Sequence, residues 1–122
     1  VETLLADAYR RHPMSNALQY RVIYEGFQAE GFELDMNLPV ITTLSDCHQA
    51  VTGEQAAYTA FTGTTDARFF NLYGETPATC YGPLASSIHG IDEWVSIDSM
   101  MQVASVLALF MTRWCGVNRL DA

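Results

Sequence analysis

The sequence contains no lysine, and all six of its basic residues are arginines. Schiff-base chemistry, a lysine base and the phosphate-gripping lysine of a Walker loop are therefore excluded. Positive charge is scarce altogether: six basic residues stand against fourteen acidic ones, for a formal net charge of −8. Such a surface argues against nucleic acid and against an anionic membrane as partners. Cysteine is limited to Cys47, Cys80 and Cys115, widely spaced and with no C-x-x-C pair. An odd, scattered set argues against a disulfide framework or a zinc knuckle and points to a reducing, cytoplasmic setting. Long apolar runs are missing too. The longest, residues 103–111, is interrupted by Ser105 and is too short to span a bilayer, and no signal peptide is visible.

What is present reads as a folded chain. At 122 residues, with 49% hydrophobic and 16% charged side chains, it is long enough and apolar enough to build a core. It opens on Val1, directly in a helical pattern with no cap before it, which raises the expectation of a piece of a longer protein. Residues 1–11 carry apolar side chains at Val1, Leu4, Leu5, Ala8 and Tyr9, the spacing of a helix with one buried face. His12-Pro13 stops it. Residues 20–34, with Tyr20, Val22, Tyr24, Phe27 and Phe32 broken by Gly26 and Gly31, read as two short strands.

Residues 35–39 read as a connector. Ser45 is placed to cap a helix over 46–52, which Gly53 ends. Residues 56–61 look like a buried strand and 62–65 like a loop. Thr65 or Asp66 caps a short helix through Tyr73, ended by Gly74, and 78–81 forms a strand closed by Gly82-Pro83. The last helix, 99–115, carries an apolar stripe of Met100, Val103, Val106, Leu107, Phe110, Met111 and Trp114, with Gly116 as its stop. From Pro39 onward helices and strands alternate. That is the pattern of an α/β fold with a mostly parallel sheet, though two or three strands are few for one.

The chemistry-bearing residues gather in three blocks. The first is Gly63-Thr64-Thr65-Asp66-Ala67-Arg68-Phe69-Phe70, the second Tyr81-Gly82-Pro83, and the third His89-Gly90-Ile91-Asp92-Glu93-Trp94-Val95. His89 is one of only three histidines, and a neutral imidazole is a good ligand for a divalent metal, but a single histidine makes no metal site. In this order and at this spacing, followed by a long helix ending Trp114-Cys115-Gly116, the blocks resemble the C-terminal third of the M20 metallopeptidases. Within that group they are most similar to the acetylornithine deacetylase and succinyl-diaminopimelate desuccinylase branch. The motif-bearing similarity covers residues 39–116.

The resemblance implies a zinc-exopeptidase-like α/β catalytic domain, whose C-terminal part would be residues 39–122. Residues 1–38 would be the last helix and strands of an α+β lid that mediates homodimerisation. It implies two zinc ions (or cobalt or another divalent metal), with His89 as one ligand. Arg68 would grip the substrate carboxylate with a bidentate guanidinium fork. Thr64 and Thr65 would hydrogen-bond the same carboxylate, and Gly82 would let the backbone approach the substrate. Asp92 and Glu93 would act behind His89, orienting it or adding charge.

Each assignment has an ordinary alternative. His89 could be a loop histidine satisfied by a carbonyl, Arg68 a salt-bridge partner of Asp66, and Thr64 and Thr65 simple helix caps. His12 and His48 lie outside the blocks and read as surface or partly buried structural residues. Cys80, in a strand, and Cys115, on the last helix, read as inert small hydrophobes. The family's H-x-D motif, bridging aspartate and Glu-Glu pair are absent, and the only adjacent acids are Asp92-Glu93. The implied parent reaction is hydrolysis of the amide of an N-acyl amino acid or peptide, with this chain inactive without the missing N-terminal half. Two alternatives remain: an M20 carboxypeptidase or dipeptidase, and a non-catalytic binding or oligomerisation module.

Overall fold

The computed structural model describes residues 1–17 and 19–118. Among them the order is α1 (Glu2–Arg11), α2 (Pro39–Thr52), α3 (Ala67–Tyr73), β1 (Ala85–Ser86), β2 (Trp94–Val95) and α4 (Ile97–Cys115). The packed centre is the face between α2 and α4. Ile41 and Cys47 from α2 are buried there, as are Ser99 and Val106 from α4. Arg113 crosses the same interface, its guanidinium Nη1 donating to Cys47 Sγ at 3.7 Å.

Local chemistry explains the helix limits. Pro39 opens α2 at a position where a missing N–H costs nothing and a fixed φ is already helical. Gly53 closes α2 in the left-handed region at φ 79°, with its N–H on Gln49 O. Ser96 caps α4 by accepting the Ser99 N–H at 3.2 Å. The start of α4 also holds the chain that follows Pro83. Ser99 Oγ accepts the Leu84 N–H at 2.9 Å, and the Ser96 N–H donates to Leu84 O at 2.9 Å.

The structure departs from the sequence-based expectations in several places. Helix α2 starts at Pro39 rather than after Ser45, so the expected connector contributes the first helical residue. Helix α4 starts two residues early for the same kind of reason, the Ser96 cap. Residues 20–34, 56–61 and 78–81 form no strands. An extended segment becomes a strand only when a neighbour takes up its N–H and C=O groups, and no described segment does so here. Cys80 is accordingly exposed rather than buried in a strand.

The expected parallel sheet is likewise not formed among the described residues. The ladder present is antiparallel and two residues long, pairing Ala85 with Val95 and Ser86 with Trp94. Helix α1 forms, but none of its residues is buried. Of the expected α4 stripe only Val106 is fully buried, because α2 covers just one narrow side of the helix.

Candidate functional site

The first block places Arg68 in the opening turn of α3. Its side chain is half-buried. The guanidinium lies over the Phe69 ring at 4.3 Å and over the Phe27 ring at 5.6 Å. A planar, weakly hydrated cation is well suited to that stacking. No acidic side chain among the described residues pairs with it, so the ordinary alternative of a bridge to Asp66 is not built. The charge therefore remains available to an incoming anion.

Thr65 lies three residues before it. Its Oγ1 is buried and has no hydrogen-bond partner among the described residues. The hydroxyl is thus not spent on capping α3, and Asp66, at the cap position, makes no side-chain cap bond either. A buried hydroxyl without a partner costs on the order of 1–3 kcal/mol, a cost that a bound acceptor would remove. Thr64 is exposed. A side chain at Gly63 would displace the exposed ring of Phe61.

The second and third blocks lie on the β1–β2 side. Gly82 is exposed, with nothing within 4 Å of where a Cβ would stand, so the chain makes no close approach at that point. His89 is exposed in the turn between β1 and β2, where the Gly90 N–H donates to Ser87 O at 2.6 Å. Ser87, His89 and Asp92 all adopt left-handed backbone, at φ 56°, 62° and 59°. That region is disfavoured for L residues, and such strain is often concentrated where a side chain must be aimed. Asp92 and Glu93 are exposed and neither pairs with His89. Among the described residues no hydrogen bond or ion pair joins the Arg68 block to the His89 hairpin.

Two further connections escaped the sequence reading. Asn71 of α3 bonds Ala78 twice, Nδ2 donating to its carbonyl at 2.7 Å and Oδ1 accepting its N–H at 3.0 Å. The only sequence signal was a poor helix former inside a helix. His48 Nδ1 lies 2.7 Å from the Tyr81 hydroxyl. Burial pushes the Tyr81 phenol above its ordinary value of 10.0. These bonds tie α3 and α2 to the strand-like segment that leads into the second block.

Comparison with known proteins now decides the relationship. Residues 18–113 match the peptidase family M20/M25/M40. The chain belongs to that family. Among curated M20-type relatives, a succinyl-diaminopimelate desuccinylase of Maricaulis maris (strain MCS10) is 35% identical over 68 residues, 56% of this chain and 17% of the relative. Another, from Gluconacetobacter diazotrophicus, is 32% identical over 78 residues, 64% of this chain and 20% of the relative. The chain thus spans about a fifth of the length of the relatives it matches.

Members of the M20 family generally use divalent metal, and a metal centre needs several converging donors. Among the described residues no three His, Cys, Asp or Glu side chains come together. The donors present therefore do not fit a complete metal centre, and His89 stands as a single imidazole. No helix of the described residues is long and apolar enough to cross a membrane.

Proposed function

We propose that this chain supplies the carboxylate-binding group and one metal-binding histidine of a hydrolase that cleaves the amide bond of N-acyl amino acids. Arg68 is the observation that carries the reading. It is a half-buried guanidinium, stacked and oriented by Phe69 and Phe27, with no acid to neutralise it. Thr65, whose carbonyl accepts the Arg68 N–H at 3.3 Å, carries an unsatisfied hydroxyl that offers a second donor for the same carboxylate. Thr64 and Gly82 complete the substrate side, and His89 presents its imidazole to zinc, with Asp92 and Glu93 adding negative charge nearby. The names of the relatives favour an N-succinyl over an N-acetyl substrate.

In this reading residues 1–38 end a lid that pairs two copies, and residues 39–122 form the C-terminal part of the catalytic domain. The chain by itself is inactive, because its donors do not assemble a metal centre. The test is amine release from N-succinyl and N-acetyl amino acids in the presence of zinc or cobalt. The purified chain is expected to release none. A full-length protein carrying this sequence is expected to turn over, with R68A raising KM by about tenfold or more and R68K recovering only part of it. Turnover by the chain alone, or an unchanged KM in R68A, would sink the proposal.

A second reading follows from the same absence of converging donors. A binding module would hold the carboxylate through Arg68 and Thr65 without hydrolysis. Calorimetric binding of an N-acyl amino acid with no turnover in the full-length protein would favour it.

A further inference from the structure

Tyr81 opens the Tyr81-Gly82-Pro83 turn, and its hydroxyl meets Nδ1 of His48 at 2.7 Å, across 33 positions of sequence. The rings stand edge to face, with centroids 5.8 Å apart and planes at 81°. Both side chains are half-buried. A phenol keeps its proton through the neutral range, and burial raises the Tyr81 pKa further, so the hydroxyl is able to donate, and a neutral ring with its proton on Nε2 would offer Nδ1 as the acceptor. His48 itself stands on a fixed base, since the adjoining Cys47 is buried against α4.

The other end of the turn is anchored as well. Leu84 donates its N–H to Ser99 Oγ and accepts the Ser96 N–H, both at 2.9 Å. Between the anchors, Pro83 has no N–H, and Gly82 has no neighbour packed where its side chain would be. Among the described residues no hydrogen bond holds Gly82 or Pro83, so the two ends of the turn set its position. One end is bound to α2 through His48 and the other to α4 through Ser96 and Ser99. Immediately after Leu84 comes β1, and then the hairpin turn that carries His89.

We propose that His48 is a positioning residue: by accepting the Tyr81 hydroxyl it latches the Gly82-Pro83 turn to α2 and so sets where the substrate-side glycine and the His89 hairpin stand. His48 acts only through Tyr81. The inference rests on the placement of Gly82 and His89 in the site under the proposed function.

Nitrogen-15 NMR of this chain reads the latch directly, with the neutral His48 ring expected to carry its proton on Nε2. Amide exchange at Leu84 reads the effect on the turn. Y81F and H48L are each expected to speed it about three- to tenfold, the effect of one hydrogen bond. The double variant should be no faster than either single one. H48N places an amide group near the position of Nδ1 and should restore slow exchange. Y81F keeps the ring and its packing, so a folding defect in H48L would not decide the matter.

A neutral His48 ring protonated on Nδ1, or unchanged Leu84 exchange in Y81F, overturns the latch. In a full-length protein carrying this sequence, kcat/KM for an N-acyl amino acid should fall about three- to tenfold in Y81F and H48L and recover in H48N. Altered exchange with unaltered kcat/KM overturns the positioning role. Failure of the hydrolase reading is visible separately, as an unsubstituted protein that turns over nothing, while the NMR and exchange measurements still decide the latch.

Discussion

Thr65 holds a hydroxyl that folding buries and leaves without a partner. Replacing it with an isosteric apolar side chain removes a desolvated group and keeps the packing. T65V should therefore leave stability unchanged or raise it by up to about 1 kcal/mol in urea unfolding, while weakening carboxylate binding in a competent protein. A loss of stability would mean that the hydroxyl is satisfied after all. Tyr81 lends itself to a different measurement. Its pKa is raised by burial, so the folded state holds the phenolic proton more tightly than the unfolded chain. The stability this contributes is fully present below about pH 10 and is lost as pH rises through the folded value. Ultraviolet titration should show Tyr81 ionising above its ordinary value, and Y81F should remove that late step. Arg68 stood out in the sequence because a short motif surrounds it. The His48–Tyr81 pair was not, because nothing local marks two residues 33 positions apart as neighbours.

At the scale of elements, helices were readable and strands were not. His12-Pro13, Gly53, Gly74 and Gly116 all stop helices where the sequence places the stops, since caps and stops act within one turn. The start of α2 was misplaced because Ser45 and Pro39 both offer helix-starting chemistry, and the proline lies further upstream. Residues 56–61 look like a buried strand in the sequence, yet they remain unpaired and 57–61 are exposed, because pairing depends on a partner that the local sequence does not reveal. Ser96 is the element-level device with most to lose, since its hydroxyl caps α4 and its N–H holds Leu84. S96A should cost about 1 kcal/mol by urea unfolding and speed exchange of the Ser99 amide. Val106, fully buried between α2 and α4, should cost about 2 kcal/mol as V106A. A cost near zero would mean that the two helices do not pack in solution.

The whole molecule leaves a large apolar surface in water. Leu4 is 75% exposed, Phe27 74% and Ile91 90%, and most of the α4 stripe faces solvent. Apolar exposure on this scale favours association. The chain should therefore bind a hydrophobic dye and show a mass above that of a monomer in light scattering at high concentration; a dye-negative, monodisperse monomer would contradict this. The sequence by itself determined the charge balance, the helices with their stops, and the ordered motifs that place the chain in the M20 family. Those features depend on residue identity and on neighbours a few positions away. Only the tertiary structure decided which apolar residues are buried, that Arg68 stacks on phenyl rings instead of pairing with Asp66, and that His48 holds Tyr81. Burial, stacking and long-range hydrogen bonds arise when distant segments meet, and that meeting is set by packing rather than by any local pattern.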